Sequence, residues 1–165
     1  MKIKKYFMGY AGACILFFYL AGCAHDPMQP ALVNYVNQDI LRISALEQRS
    51  LAAYAGVTGA NYTTPGRVGD AIENTVIPVY REFLVLLKQI NPQVPAIRQI
   101  HAVYVRGGDT LFAGFNEKKT GIALNDNRLI RMANEKIRQG RTLTNKWREQ
   151  LAALVIKHKI GSQKH

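Results

Sequence analysis

The sequence predicts an all-α fold, an up-down four-helix bundle in a single domain. Three observations predict it. Apolar residues recur at steps of three and four in four separate segments. No alternating strand pattern of useful length competes with them. Once the first 22 residues are set aside, the remaining length is that of one domain with a single core.

The first helix is predicted from about Pro30, a good first-turn residue, to Tyr54, with Leu32, Val36, Ile40, Ile43, Leu51 and Tyr54 on its inner face. Residues 56–69 (GVTGANYTTPGRVG) read as a turn-rich loop. Asp70 opens the second helix, with Glu73 three residues on in a capping-box pattern. Its stripe is Ile72, Val76, Val79, Phe83, Leu86 and Ile90. Pro78, which has no N–H to donate, should kink this helix or shift its start.

Asn91-Pro92 and Pro95 break the chain and open a third helix with the stripe Ile97, Ile100, Tyr104, Gly107/Gly108, Leu111 and Phe115, ending near Gly121. Glycine inside a helix costs about 1 kcal/mol relative to alanine. Gly107 and Gly108 therefore either admit a close neighbour or break the helix. The fourth helix starts near Asn125 or Asp126 and reaches toward His158, with Ile130, Ala133, Ile137, Gly140, Thr144, Trp147, Leu151 and Leu154 inward. At about 50 Å it is the longest, and Gly140 is where it could bend.

The N-terminus has a different organisation. Lys2, Lys4 and Lys5 form a positive patch without an acid, followed by an uncharged run over residues 6–20. A spanning helix needs about 20 apolar residues, so this run fits the hydrophobic part of a signal peptide better than a permanent span. Leu20-Ala21-Gly22-Cys23 follows directly. This tetrapeptide resembles the lipobox of bacterial lipoproteins: an aliphatic residue, a small residue, Gly or Ala, then Cys. The resemblance implies cleavage between Gly22 and Cys23, a diacylglyceryl thioether (with its palmitate-type chains) on Cys23 and a further acyl chain on the new amino group. Each buried methylene contributes about 0.8 kcal/mol, so two or three chains give a stable membrane anchor. In the sorting rule of Gram-negative lipoproteins, Ala24 where Asp would retain the protein points to the outer membrane, facing the periplasm.

The domain plan expected is thus a signal peptide over 1–22, a lipidated tether over 23–30, a helical domain over 31–160 and a polar tail over 161–165. Cys14 leaves with the signal and Cys23 carries lipid, which excludes an internal disulfide and any thiolate metal site.

Charge is concentrated at the other end. Residues 23–127 hold nine basic and nine acidic residues, whereas residues 128–165 hold ten basic residues against Glu135 and Glu149. Arg128, Arg131, Arg138 and Lys146 fall opposite the inner stripe of the fourth helix, with Arg141 and Arg148 on its shoulder. Glu135 is placed to pair with Arg131 and Arg138, and Glu149 with Lys146. The face is either an ordinary solvated one or an electrostatic dock for head groups, lipopolysaccharide phosphates, cell-wall polymer or an acidic protein. Nucleic acid is not expected, because no aromatic platform interleaves the cations.

No Glu is followed three places on by His, as di-iron bundles require, and one mature cysteine cannot attach a c-type haem. No nucleophile-elbow or phosphate-loop motif occurs, nor a Glu-Ser pair of the lysozyme-like kind, and only Ser44, Ser50 and Ser162 are serines. No cofactor is therefore expected. Asn61-Tyr62-Thr63 fits a glycosylation sequon, discounted in a bacterial lipoprotein. His158 lies on the fourth helix.

Glu47 and His101 form the candidate polar core site. Glu47 falls between Ile43 and Leu51, where the expectation is an open bundle that lets it reach solvent, the alternative being a buried carboxylate that contacts a ligand or an arginine within the bundle. His101 flanks the third stripe, where a lone histidine is ordinarily a hydrogen-bonded packing residue rather than a metal ligand.

The function expected from all this is a non-enzymatic, membrane-anchored accessory or scaffold role in the cell envelope. The runner-up is a small-ligand-binding or sensory bundle with its pocket near Tyr104 and Gly107/Gly108. The lipobox makes the first testable statement. Cys23→Ala should remain an uncleaved precursor, and metabolic labelling with fatty acid should mark the Cys23 form alone; label on the alanine variant contradicts the assignment.

Overall fold

The computed structural model describes residues 27–158; the lipobox and the polar tail lie outside the described residues. Four helices form one domain around a common core, and no strand occurs among the described residues. Helix α1 is continuous over three segments, Met28–Asn34, a π-helical Tyr35–Ile40 and Leu41–Ala55. Helix α2 likewise joins Pro65–Ala71, a π-helical Ile72–Val76 and Ile77–Gln89. Helices α3 (Pro95–Ala123) and α4 (Asn127–Lys157) are uninterrupted α-helix. α1 begins at Met28, so the last residues of the expected tether are already helical.

The π segments explain where the predicted stripes drift. A π turn takes one more residue than an α turn. Steps of three and four from Leu32 lead to Val36, but the buried residues of α1 are Leu32, Tyr35, Ile40, Ile43, Glu47, Ser50 and Tyr54, with a step of five across the π segment. Val36 and Leu51 are only partly buried, against the wall of the core rather than within it. In α2 the same device precedes Pro78. The ring removes the donor for the carbonyl four residues back, and the widened turn ending at Val76 absorbs the mismatch while Pro78 itself stays exposed. Ser50 Oγ donates to the Val76 carbonyl at 2.9 Å, tying α1 to α2 at this point. Tyr80 and Leu87 take core positions alongside Phe83, and Leu86 is partly buried.

The start of α2 is a correction. Asp70 does not cap the helix; Thr64 does, its side chain accepting from Arg67 N–H, with Pro65 at the first turn. Thr64-Pro65 is the stronger start signal, since the proline's fixed φ suits N1 and it has no amide hydrogen to leave unpaired. Asp70 and Glu73 therefore lie inside the helix.

α3 turns tightly into α4. Asn125 adopts the left-handed conformation (φ 52°), Asp126 N–H donates to the Gly121 carbonyl at 2.8 Å and Asn125 N–H to Ile122 at 3.1 Å. This is a Schellman closure, for which Asn is the usual substitute for Gly. Asp126 then caps α4 by accepting from the Arg128 and Leu129 amides.

The two helices run back antiparallel in close contact along Gly107, Gly114 and Gly121, which recur at seven-residue intervals. A Cβ on Gly107 would lie 3.1 Å from Thr144 N, one on Gly114 3.0 Å from Ile137 N, and one on Gly121 3.0 Å from Ile130 N. From the other side, a Cβ on Gly140 would lie 2.8 Å from Leu111 N. The glycines thus admit a neighbouring backbone, and the helix does not break at Gly107/Gly108. Gly108 differs, because its nearest neighbour is the flexible end of Leu84, at 3.0 Å.

That difference is measurable. Gly114→Ala should lower stability by about 1–3 kcal/mol, because backbone must move to make room. In Gly108→Ala the helix-propensity gain of about 1 kcal/mol offsets a small side-chain adjustment, leaving stability nearly unchanged. Denaturant titration of both variants checks this, and equal effects would contradict the close approach.

Candidate functional site

The two residues singled out as a polar core site are both buried, Glu47 at 6% exposure and His101 at 6%. One chain of contacts joins them across the domain. His101 Nδ1 lies 3.1 Å from Tyr35 Oη, and Trp147 Nε1–H donates to the same oxygen at 3.2 Å. Tyr35 Oη thus bridges the indole of Trp147 and the imidazole of His101. The backbone at Leu87 and Ile90 lies against the ring and partly offsets the effect of burial on it. Trp147 stacks on Tyr104 with centroids 3.8 Å apart and planes within 8°. Tyr104 Oη–H donates to Glu47 Oε2 at 2.8 Å, and Arg148 reaches the same oxygen at 3.8 Å.

The expectation that Glu47 reaches solvent is therefore overturned. The helices close over it, and Arg148, which the sequence placed on the shoulder of the basic face, turns toward it. Burial pushes the Glu47 carboxyl above its usual 4.5, opposed by the Tyr104 hydrogen bond and Arg148. Glu47 Oε1 and Tyr80 Oη have no hydrogen-bond partner among the described residues. His101 is held below its usual 6.5, chiefly by burial.

The site that the runner-up reading required is filled. Tyr104 is covered by Trp147, Gly107 by Thr144 and Gly140, and Gly108 by Leu84 and Leu87. Among the described residues the chain of aromatic contacts packs over these positions.

On α4, Arg128, Arg131, Arg138, Arg141, Lys146 and Arg148 are exposed. Their roles differ. Glu135 binds Arg138 through both carboxylate oxygens and Gln139, rather than Arg131. Glu149 does not pair with Lys146 among the described ion pairs. Arg141 lies over the Tyr54 ring, 5.8 Å from its centroid. Arg128, Arg131 and Lys146 remain outward with no carboxylate within 4.0 Å among the described residues, a bare cationic stripe.

Sequence reasoning missed Tyr35, because a π turn cannot be seen in α spacing, and Lys118. The second had a visible signal: three residues after Phe115, it continues the Leu111, Phe115 stripe. Among the described residues no group of three His, Cys, Asp or Glu gathers to hold a metal, and no helix is long and apolar enough to cross a membrane. Comparison with protein-family models, curated proteins and solved structures finds no match for the chain.

The two buried groups pull stability in opposite directions with pH. A carboxyl whose folded pKa is raised binds its proton more tightly in the folded state, so that contribution is complete below pH 4.5 and is lost as pH rises through the raised value. A histidine whose folded pKa is lowered loses its contribution as pH falls through 6.5. Glu47→Gln keeps an acceptor for Tyr104 and should remove the decline on the alkaline side, with Tm at pH 7 equal to or above the parent's. His101→Gln should flatten the acid-side decline instead. Melting curves from pH 4 to 8 check both; parent-like profiles would show that neither group is linked to folding.

Proposed function

We propose that this chain is a membrane-anchored lipoprotein of the cell envelope, held by lipid on Cys23 in the outer membrane and facing the periplasm. In this reading its domain is an up-down four-helix bundle with a non-enzymatic, accessory role, contacting an anionic surface or partner through α4. The observation that carries the proposal is the charge asymmetry of α4. Arg128, Arg131 and Lys146 face outward without carboxylate partners among the described residues, while Glu135 is spent on Arg138.

A second contact supports the tethered arrangement. Gln29 Nε2 donates to the His158 carbonyl at 2.9 Å, so the first turn of α1 lies beside the end of α4. A tether over 23–27 extends at most about 20 Å. Lipid on Cys23 therefore keeps the C-terminal end of α4, with Lys157, close to the bilayer. Arg128 and Arg131 sit roughly 40 Å further along the helix axis. Phosphate-bearing head groups are within reach of the near end, and the far end is available to an acidic partner or polymer.

Exposed charges of this kind act over a Debye length of about 8 Å at physiological salt. The triple variant Arg128→Gln, Arg131→Gln, Lys146→Gln should fold normally, because none of the three enters the core. Sedimentation with vesicles containing phosphatidylglycerol, or with purified cell-wall material, should retain less of this variant than of the parent and show a shallower salt dependence. Equal retention of both proteins at low salt would reduce the stripe to a solvated face.

A further inference from the structure

The residues the polar chain and the outer stripe leave unused meet at the other end of α1. Lys118 is nine-tenths buried, a cation on the inner face of α3. Its Nζ donates to Tyr54 Oη at 2.7 Å and lies 5.0 Å from the centre of that ring. Arg141 comes over the same ring from α4. No carboxylate lies within 4.0 Å of either cation among the described residues. A buried ammonium offers three hydrogens and is costly to leave uncompensated, and here one neutral hydroxyl serves it. Burial and the neighbouring Arg141 both lower the Lys118 pKa, as two unscreened positive charges should.

These groups line a cleft of about 520 Å³ between the end of α1, the loop after it, α3 and α4, with Thr58, Asn134 and Arg138 on its walls. Glu135 already holds Arg138, so the uncommitted charge in the cleft is that of Lys118 and Arg141. Beyond Thr58, Gly59, Lys118 and Asn134 the cleft continues into a second groove of about 440 Å³. That extension is lined by Pro65, Val68, Ile122 and Ile130, with Tyr62 at its edge. No Asp or Glu lines either part. Two cations and polar donors thus open directly onto an apolar groove.

We propose that this composite cleft is a binding site for an organic phosphate monoester, the phosphate on Lys118 and Arg141 and an apolar substituent in the groove toward Ile122 and Ile130. An arginine fork and an ammonium beside hydroxyl and amide donors match the oxygens of a phosphate, and charge-assisted bonds are the strong ones. Ligand pockets have this composition, a largely apolar wall with a few convergent polar groups. The proposal is independent of the lipid anchor and of the outer stripe, since it uses neither Cys23 nor Arg128, Arg131 and Lys146.

The test is calorimetric titration of the full chain in dodecyl maltoside with hexyl phosphate, inorganic phosphate and hexanol. Hexyl phosphate should bind saturably at one site, about tenfold more tightly than inorganic phosphate, and hexanol should show no saturable binding. Arg141→Gln, an exposed position whose loss leaves the core intact, should weaken hexyl phosphate about tenfold, as removal of a charged hydrogen bond does. Lys118→Gln should do the same, and Ile122→Thr should narrow the gap between the two phosphates. Absence of saturable binding overturns the site. So does unchanged affinity in an Arg141→Gln protein that circular dichroism shows to be helical. Equal affinity for hexyl and inorganic phosphate overturns the assignment of ligand class.

Discussion

The arrangement depends on how closely α3 and α4 approach each other. Where Gly107, Gly114 and Gly121 face α4, its amide nitrogens stand about where a Cβ would make contact. An interface so short admits a side chain from only one helix at each of these levels, with Thr144, Ile137 and Ile130 set against the glycines of α3 and Leu111 against Gly140. The large residues of both helices are therefore displaced to the flanks, toward α1 and α2. Trp147 meets Tyr104 on one flank, and Phe115 meets Tyr54 and Tyr80. Arg141, at the edge of the same interface, is carried over the end of α1. A wider separation would dissolve the stacking and the cation pair together, because both are set by the same inter-helix distance.

A polar chain in the middle of such a core needs a reason to be tolerated. Its members meet one another, His101 with Tyr35, Tyr35 with Trp147, and Glu47 Oε2 with Tyr104 and Arg148, and only Glu47 Oε1 in this chain is left without a partner among the described residues. Buried networks of this kind contribute direction rather than bulk stability, since their partners must come from particular positions on particular helices. Here Tyr35 and Glu47 come from α1, His101 and Tyr104 from α3, Trp147 and Arg148 from α4. Apolar contacts alone would accept α1 rotated or slid by a turn. The hydrogen bonds from Trp147 to Tyr35 and from Tyr104 to Glu47 would not.

The helices, their breaks and most of the core could be read from the chain, because spacing by three and four, Pro95, Asp126 and the Gly-rich segments are local signals. What could not be read came from longer range. The step of five between Tyr35 and Ile40 is visible only once a π turn is known, and without it Tyr35 points outward. Asp70 and Glu73 imitate a capping box inside a helix that Thr64 and Pro65 had already opened. Glu47 was placed on the correct face but given the wrong environment, since whether a carboxylate is covered depends on a partner from α4, 101 positions later in the chain. Of the candidate cleft, Lys118 was legible as a lysine on an apolar stripe. That Arg141 and Tyr54 meet it was not, because their meeting depends on how the helices are packed.

The π segment of α1 also changes what an insertion or deletion means in this chain. Side chains advance by about 100° per residue along a helix, so one residue more or less ordinarily rotates everything beyond it off its face. Between Tyr35 and Ile40 the extra residue is already present, held as a bulge, and the faces before and after it are in phase only because it is there. This stretch behaves like a frame shift that the fold has absorbed. Shortening it by one residue would restore a regular α-helix locally and, in the same step, turn Leu32 and Tyr35 away from the core that Ile43 and Glu47 still face. The more ideal helix would be the one that no longer fits.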